Sequence, residues 1–222
     1  MKKELCFLTA AIILCLSFGK SNAHAQSEDV PRFEVGAQFT TLTKPDFNGG
    51  RTEAGFGGRF TYNVTDYLAL EAEGNFFPHR CLTCTSGNNG RITEGLVGIK
   101  AGRRFNKFGL FAKGRPGFIR FSEGIADFIP LPSLPGPFPL FEIRRRPTTN
   151  FAVDVGGVLE FYPSRRIVAR FDAGDTIIHY GAHTFNTFAF DPTTGATTIH
   201  TFTTLRENRH NFQFSAGVAF RF

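Results

Sequence analysis

The sequence predicts an all-β protein: a closed eight-stranded antiparallel transmembrane β-barrel with short turns on one rim and long loops on the other. Three observations carry that prediction. The closing stretch, Phe212–Phe222, alternates strictly, with Phe212, Phe214, Ala216, Val218, Phe220 and Phe222 on one face and Gln213, Ser215, Gly217, Ala219 and Arg221 on the other. At roughly 3.3 Å per residue such a strand is ~36 Å long, and a tilt of ~40° leaves ~28 Å along a bilayer normal, enough for an apolar band ~25 Å tall. The composition agrees: 28 Phe, no Trp, 4 Tyr and 24 Gly, with the glycines scattered through the strands and no convincing helical periodicity after the leader. Beyond that leader no segment approaches the ~18 consecutive apolar residues of a helical span, so a closed barrel is the remaining way to cross a bilayer.

The N-terminal segment is set aside first. Lys2 and Lys3 precede an apolar run from Leu5 to Phe18, and Ala23-His24-Ala25 supplies a small-x-small cleavage site before Gln26. Residues 1–25 are therefore read as a secretory signal peptide and residues 26–222 as the barrel domain. Cys15 follows Ile13-Leu14 and does not read as a lipobox cysteine. Losing Lys2, Lys3, Lys20 and Glu4 leaves 22 basic residues against 18 acidic, a net charge of +4. These charges alternate singly with apolar residues instead of clustering on a binding element, which excludes nucleic acid as a partner.

The strands follow in order. Arg32–Leu42 puts Phe33, Val35, Ala37 and Phe39 opposite Glu34, Gly36 and Gln38, and Glu53–Tyr62 puts Phe56 and Phe60 opposite Gly57 and Arg59. Between them Pro45-Asp46 and Asn48-Gly49-Gly50 mark a loop. A tight turn at Asn63–Asp66 returns the chain as Tyr67–Phe77, where Leu68, Leu70, Ala72 and Phe76 oppose Glu71, Glu73 and Asn75. After a loop over 78–91 the fourth strand, Ile92–Phe105, sets Val97, Ile99 and Ala101 against Gly98, Lys100 and Gly102. The fifth, Phe108–Phe121, sets Leu110, Ala112 and Phe118 against Lys113 and Arg115; Pro116 implies a bulge or a local loss of pairing. Residues 122–150 read as the third loop, with five prolines between Ile129 and Phe141 making it stiff and extended. Phe151–Tyr162 alternates Phe151, Val153, Val155, Leu159 and Phe161 with Asp154, Gly156 and Glu160, and Ile167–Ile178 sets Ala169 and Phe171 against Arg170 and Asp172. The last loop, 180–211, has a hairpin signature of its own around Asp191-Pro192-Thr193-Thr194-Gly195.

Glycine decides which face is inside. Gly36, Gly57, Gly98, Gly102, Gly156 and Gly217 lie among the charged residues, as suits a crowded interior. Glu34, Arg59, Glu71, Glu73, Lys100, Lys113, Arg115, Asp154, Glu160, Arg170, Asp172 and Arg221 are therefore expected to point inward and pair, six acids against six bases. Unpaired buried charge costs several kcal/mol per ion. The expected lumen is plugged, with a narrow gated water or ion path as the alternative.

Residues 32–222 resemble the small eight-stranded outer-membrane barrels of the OmpA/OmpX type, within the outer membrane protein beta-barrel domain family. The likeness is carried by Gly55-Phe56-Gly57-Gly58-Arg59-Phe60, Leu68-Ala69-Leu70-Glu71-Ala72-Glu73 and Gly109-Leu110-Phe111-Ala112-Lys113. It implies an outer-membrane location in a Gram-negative-type envelope, with the short turns and both termini in the periplasm. The terminal strand, through Phe214, Phe220 and Phe222, is similar to the insertion signal that the barrel-assembly machinery reads. The family shares no single activity, so function does not follow from the fold.

The remaining motifs are weighed individually. Cys81-Leu82-Thr83-Cys84 is half a zinc site with no second cysteine pair once Cys6 and Cys15 leave; a loop disulfide is the expectation, with free thiols or partial metal binding as alternatives. His179 and His183 on a strand are ~13 Å apart, too far to share an ion. No nucleophile, acid–base pair or cofactor motif is ordered among Ser86, Ser122, His79, His179 and Asp175, so no enzyme, metal or cofactor is expected. Arg144, Arg145 and Arg146 near the outer rim suit lipopolysaccharide phosphates, or are solvated loop charge. Leu131, Leu134, Phe138, Leu140 and Phe141 pack on the barrel mouth or meet a partner. The reading is a monomeric structural and surface-interaction protein whose loops contact lipopolysaccharide or an external protein.

Overall fold

The computed structural model describes residues 31–44, 51–79, 88–130, 141–190, 193 and 197–222. The segment read from the sequence as a signal peptide, Cys81 and Cys84, residues 131–140 and most of the turn at 191–196 lie outside the described residues. Ten strands form: β1 (Phe33–Lys44), β2 (Arg51–Asn63), β3 (Leu68–Phe77), β4 (Asn88–Arg104), β5 (Phe108–Pro130), β6 (Phe141–Phe161), β7 (Ile167–Tyr180), β8 (Thr184–Phe190), β9 (Thr197–Thr203) and β10 (Glu207–Arg221). Eight of them, β1 to β7 and β10, close into an antiparallel barrel, while β8 and β9 pair as a separate hairpin. The chain's last strand closes on its first. Phe33 and Phe222 exchange backbone hydrogen bonds of 3.1 and 2.9 Å, and their rings stack 5.9 Å apart.

The register fixes the tilt. Following paired residues from Phe33 through Tyr62, Leu70, Ile99, Gly114, Val155, Asp175 and Phe212 leads back to β1 at Thr43, ten residues further along. Eight strands with that stagger need a tilt near 45°, and they enclose an interior only wide enough for side chains. Three connections between consecutive barrel strands are short, at 64–67, 105–107 and 162–166, and all lie on one rim with both ends of the barrel chain. The opposite rim carries the other connections.

Alternation sets the two faces. Phe39, Phe56, Phe60, Leu70, Val97, Ile99, Leu110, Phe118, Phe151, Phe171, Phe212 and Phe214 point away from the barrel. Most of the intervening residues in the barrel wall, among them Glu34, Arg59, Glu71, Lys100, Arg115, Asp154 and Arg170, are buried inside it.

The strands on the long-loop rim run further than alternation predicts. Residues 122–130 and 141–150 are not loop: β5 is 23 residues long, β6 is 21, and the two stay paired to Pro130 and Phe141. Both arms are rich in residue types that favour extended backbone, with β-branched and aromatic residues at 125, 128, 129, 141 and 143 of the sequence. Register shifts at Phe121/Gly124 and Ile125/Asp127 absorb the mismatch, and Pro147 falls at the first of them, where no ladder bond is required of it. Pro116 is accommodated differently. Its pairing with Val153 on β6 is kept, while toward β4 the ladder skips from Leu96↔Gly117 to Ile99↔Gly114 without changing register.

Candidate functional site

The lumen is layered from the short-turn rim upward. Nearest that rim, Glu34 accepts hydrogen bonds from Arg221 Nε and Asn63 Nδ2, both 2.9 Å, with Arg104 at 3.7 Å. Glu160 then takes Lys100 in a short contact, Arg221 at 3.3 Å and the Tyr162 hydroxyl at 2.9 Å. At mid-height Arg170 holds Glu71 through both terminal nitrogens and Asp172 at 2.7 and 2.9 Å. Arg115 bridges Glu73 and Asp154, and Lys113 adds a 2.9 Å contact to Asp154. Arg59 reaches Gln38 at 2.9 Å and Asp172 at 3.4 Å.

The twelve charged residues named from alternation are thus buried together in one interior network. Glycine makes the room. A Cβ on Gly98 would sit 2.6 Å from the Arg115 Cα, and one on Gly57 would sit 2.0 Å from Asn75 Oδ1.

Two further layers were not named from the sequence. Above the ions lies an amide and hydroxyl layer in which Asn75 and Gln213 donate to Glu94 Oε2 at 2.7 and 2.9 Å, while Ser215 bonds Thr40 at 2.9 Å. Above that, Leu42, Phe77, Ile92, Ile119, Phe121, Ala152 and Ile178 form a fully buried apolar cluster that closes the lumen toward the long-loop rim. Inward parity was the available signal for both. At the mouth, Glu53 gathers Arg51 at 2.9 Å, His79 at 3.0 Å and Lys44 at 3.5 Å.

The outer surface at the long-loop rim is chemically different. Arg91 and Arg120 point away from the barrel on β4 and β5, and Arg144 and Arg146 are exposed on the extended part of β6. Among the described residues none of these four guanidinium groups has a hydrogen bond or ion pair. Arg145, between the last two, is half-buried. Gly90, at φ 87°, and Arg91 together oppose Ser122 across a bulge, and the Arg91 amide donates to Ser122 Oγ at 2.8 Å.

Other candidates stay apart. Asp175 Oδ2 meets His210 Nδ1 at 2.5 Å, and His179 Nδ1 meets Asn208 Oδ1 at 2.7 Å. No cluster of three or more His, Cys, Asp or Glu suited to a metal ion occurs among the described residues.

The outer membrane protein beta-barrel domain family matches residues 11–222. The chain belongs to this family. It is accordingly an outer-membrane β-barrel protein. Among solved structures it is similar to the Neisserial surface protein A, NspA, with a TM-score of 0.52 and 13% identity over 86% of this chain and 97% of that one. It is also similar to Ail, the attachment invasion locus protein of Yersinia pestis, with a TM-score of 0.49 and 12% identity over 86% and 99%. The N-terminal barrel of OprF from Pseudomonas aeruginosa gives 0.40 and 12% over 84% and 97%. At these identities the likeness is one of fold. No match is found among curated protein sequences.

Proposed function

We propose that this barrel acts as a structural and surface-interaction protein whose long-loop rim holds the phosphates of lipopolysaccharide through Arg91, Arg120, Arg144 and Arg146, with Arg145 between them. The observation that carries the reading is the contrast between two sets of arginines. Inside, Arg59, Arg115, Arg170 and Arg221 are each matched to carboxylates. The four outside have no such partner among the described residues, and they share one side of the barrel, on β4, β5 and β6. Forked guanidinium donors suit phosphate oxygens, and at an outer-leaflet rim lipopolysaccharide is the abundant phosphate. The filled lumen supports the same reading, because an apolar cluster above an ion-paired layer leaves no evident path for solute. A protein partner at the extended β5–β6 hairpin is compatible with this role, and the barrel is complete as one chain.

Capture of purified lipopolysaccharide by refolded protein in detergent tests it. Binding should weaken with salt, and R144Q/R146Q together with R91Q/R120Q should lower affinity at least ~tenfold, the equivalent of one charge-assisted bond. Unchanged capture by the quadruple variant would remove the proposal.

A further inference from the structure

Below Arg120 the lipid-facing wall is not smooth. A groove of about 540 Å³ crosses β2 to β5. Its floor is Gly58, Gly74 and Gly95, which are successive partners in one cross-strand row ending at Phe118, and its sides include Phe60, Pro116 and Phe118.

The row also climbs. Gly58 lies five residues from the short-turn end of β2, Gly74 six from that end of β3, Gly95 nine from that end of β4 and Phe118 ten from that end of β5. The groove therefore rises obliquely into the outer-leaflet half of the wall. Phe118 lies over Gly95, where a Cβ would come within 2.7 Å of the ring. Two residues beyond Phe118 the same face of β5 carries Arg120, paired with Thr93, and two residues beyond Thr93 on β4 is Arg91. Both arginines therefore stand on the lipid-facing side of adjacent strands one step apart along the ladder, where two long guanidinium side chains can serve one phosphate-bearing headgroup.

We propose that the groove and the two arginines are one site for a phosphorylated, acylated glycolipid of the lipid A type, with an acyl chain lying over Gly74 and Gly58 against the Phe118 ring and a phosphate on Arg120 and Arg91. This rests on the rim reading above and adds to it a seat for the hydrocarbon. Charge selects the occupant: an uncharged lipid would leave both arginines unpaired at the membrane edge. A second barrel pressed into the groove would bring its own arginines to the same place. The phosphate must sit above an acyl chain on one molecule, which lipid A supplies.

The barrel permits a clean test. A Cβ on Gly58 finds its nearest atom at 3.7 Å and one on Gly74 at 4.0 Å, so side chains there fill the groove without pushing on the backbone. The full chain, refolded in detergent, is titrated with hexa-acylated bis-phosphorylated lipid A, with its dephosphorylated and deacylated forms, and with phosphatidylglycerol, and retention is read by native mass spectrometry. Heat-modifiable gel mobility confirms folding of each variant. Gly58→Leu/Gly74→Leu should cut lipid A retention at least ~tenfold and leave the weak binding of the deacylated form unchanged; Gly74→Val alone should act in the same direction. R91Q/R120Q should cut retention of the phosphorylated form to the level of the dephosphorylated one. If the glycine variants retain lipid A like the parent while R91Q/R120Q does not, the seat is wrong and the rim reading stands. If neither pair matters, both fall. Equal retention of phosphatidylglycerol would overturn the choice of glycolipid.

Discussion

Arg115 on β5 and Asp154 on β6 stand directly opposite each other, and Asp154 Oδ2 accepts from Arg115 Nε at 2.9 Å and from Nη2 at 2.6 Å. The same guanidinium group reaches Glu73 across the lumen. One residue therefore ties three strands together in a fully buried setting. Arg115→Met keeps much of the volume but leaves Glu73 without its cation, while Asp154 retains only Lys113 at 2.9 Å, so urea unfolding in detergent micelles should show a loss of ~3–5 kcal/mol. Changing Glu73→Gln in the same chain should restore part of that loss, because the penalty comes from unmatched charge more than from the missing contact.

The apolar cluster predicts electrical silence. Reconstituted protein should give no sustained open steps in planar bilayers. Phe121→Ala, in this fully buried cluster, should cost ~3–5 kcal/mol and remain silent, because the ion-paired layer beneath it is untouched. Regular steps from the unaltered protein would instead support a gated channel.

Tyr162 lies in the short turn beyond β6, outside the spanning strands, with its hydroxyl donating to Glu160 and the Arg221 guanidinium 4.3 Å from its ring centre. Burial, and then the Glu160 carboxylate, push its hydroxyl up to about 12. In the unfolded chain it ionises near 10, so its contribution is complete below pH ~10 and is lost as pH rises toward ~12. Discounted for solvent at the rim, that is on the order of 1–2 kcal/mol. Tyr162→Phe should flatten this alkaline fall in urea midpoints while leaving the neutral range sloped as before.

Phe222 closes an aromatic chain with Phe33 at 5.9 Å and Phe220 at 6.4 Å. Phe222→Ala should weaken the seam between β1 and β10 by ~1–2 kcal/mol and lower the heat-modifiable fraction after refolding. Phe222→Trp should retain both.

Much of this was legible in the residues, for a physical reason. Period-two alternation over strands such as Phe151–Phe161 and Ile167–Ile178 states which side chains share a face, and the charges had to share the one turned away from lipid. Glu94 escaped notice because its neighbours Thr93 and Gly95 supply no greasy contrast. Leu42, Ile92 and Ile119 escaped because apolar residues on the inner face look the same as apolar residues on the outer one. Pro130, and the five-proline run it opens, suggested a loop beginning at Ser122, whereas pairing carries β5 as far as Pro130 and β6 back to Phe141. The groove depends on the offsets that bring Gly58, Gly74 and Gly95 into one row, and those offsets belong to the assembled sheet.

The chain has no tryptophan, so a single introduced one reports its surroundings without background. With Phe214→Trp and, separately, Phe121→Trp reconstituted in bilayers of brominated phospholipid, the account predicts strong quenching at 214 and little at 121. Shielding at 214, with quenching by aqueous iodide at 121, would mean that the aromatic face is not the lipid face, and the account would fail.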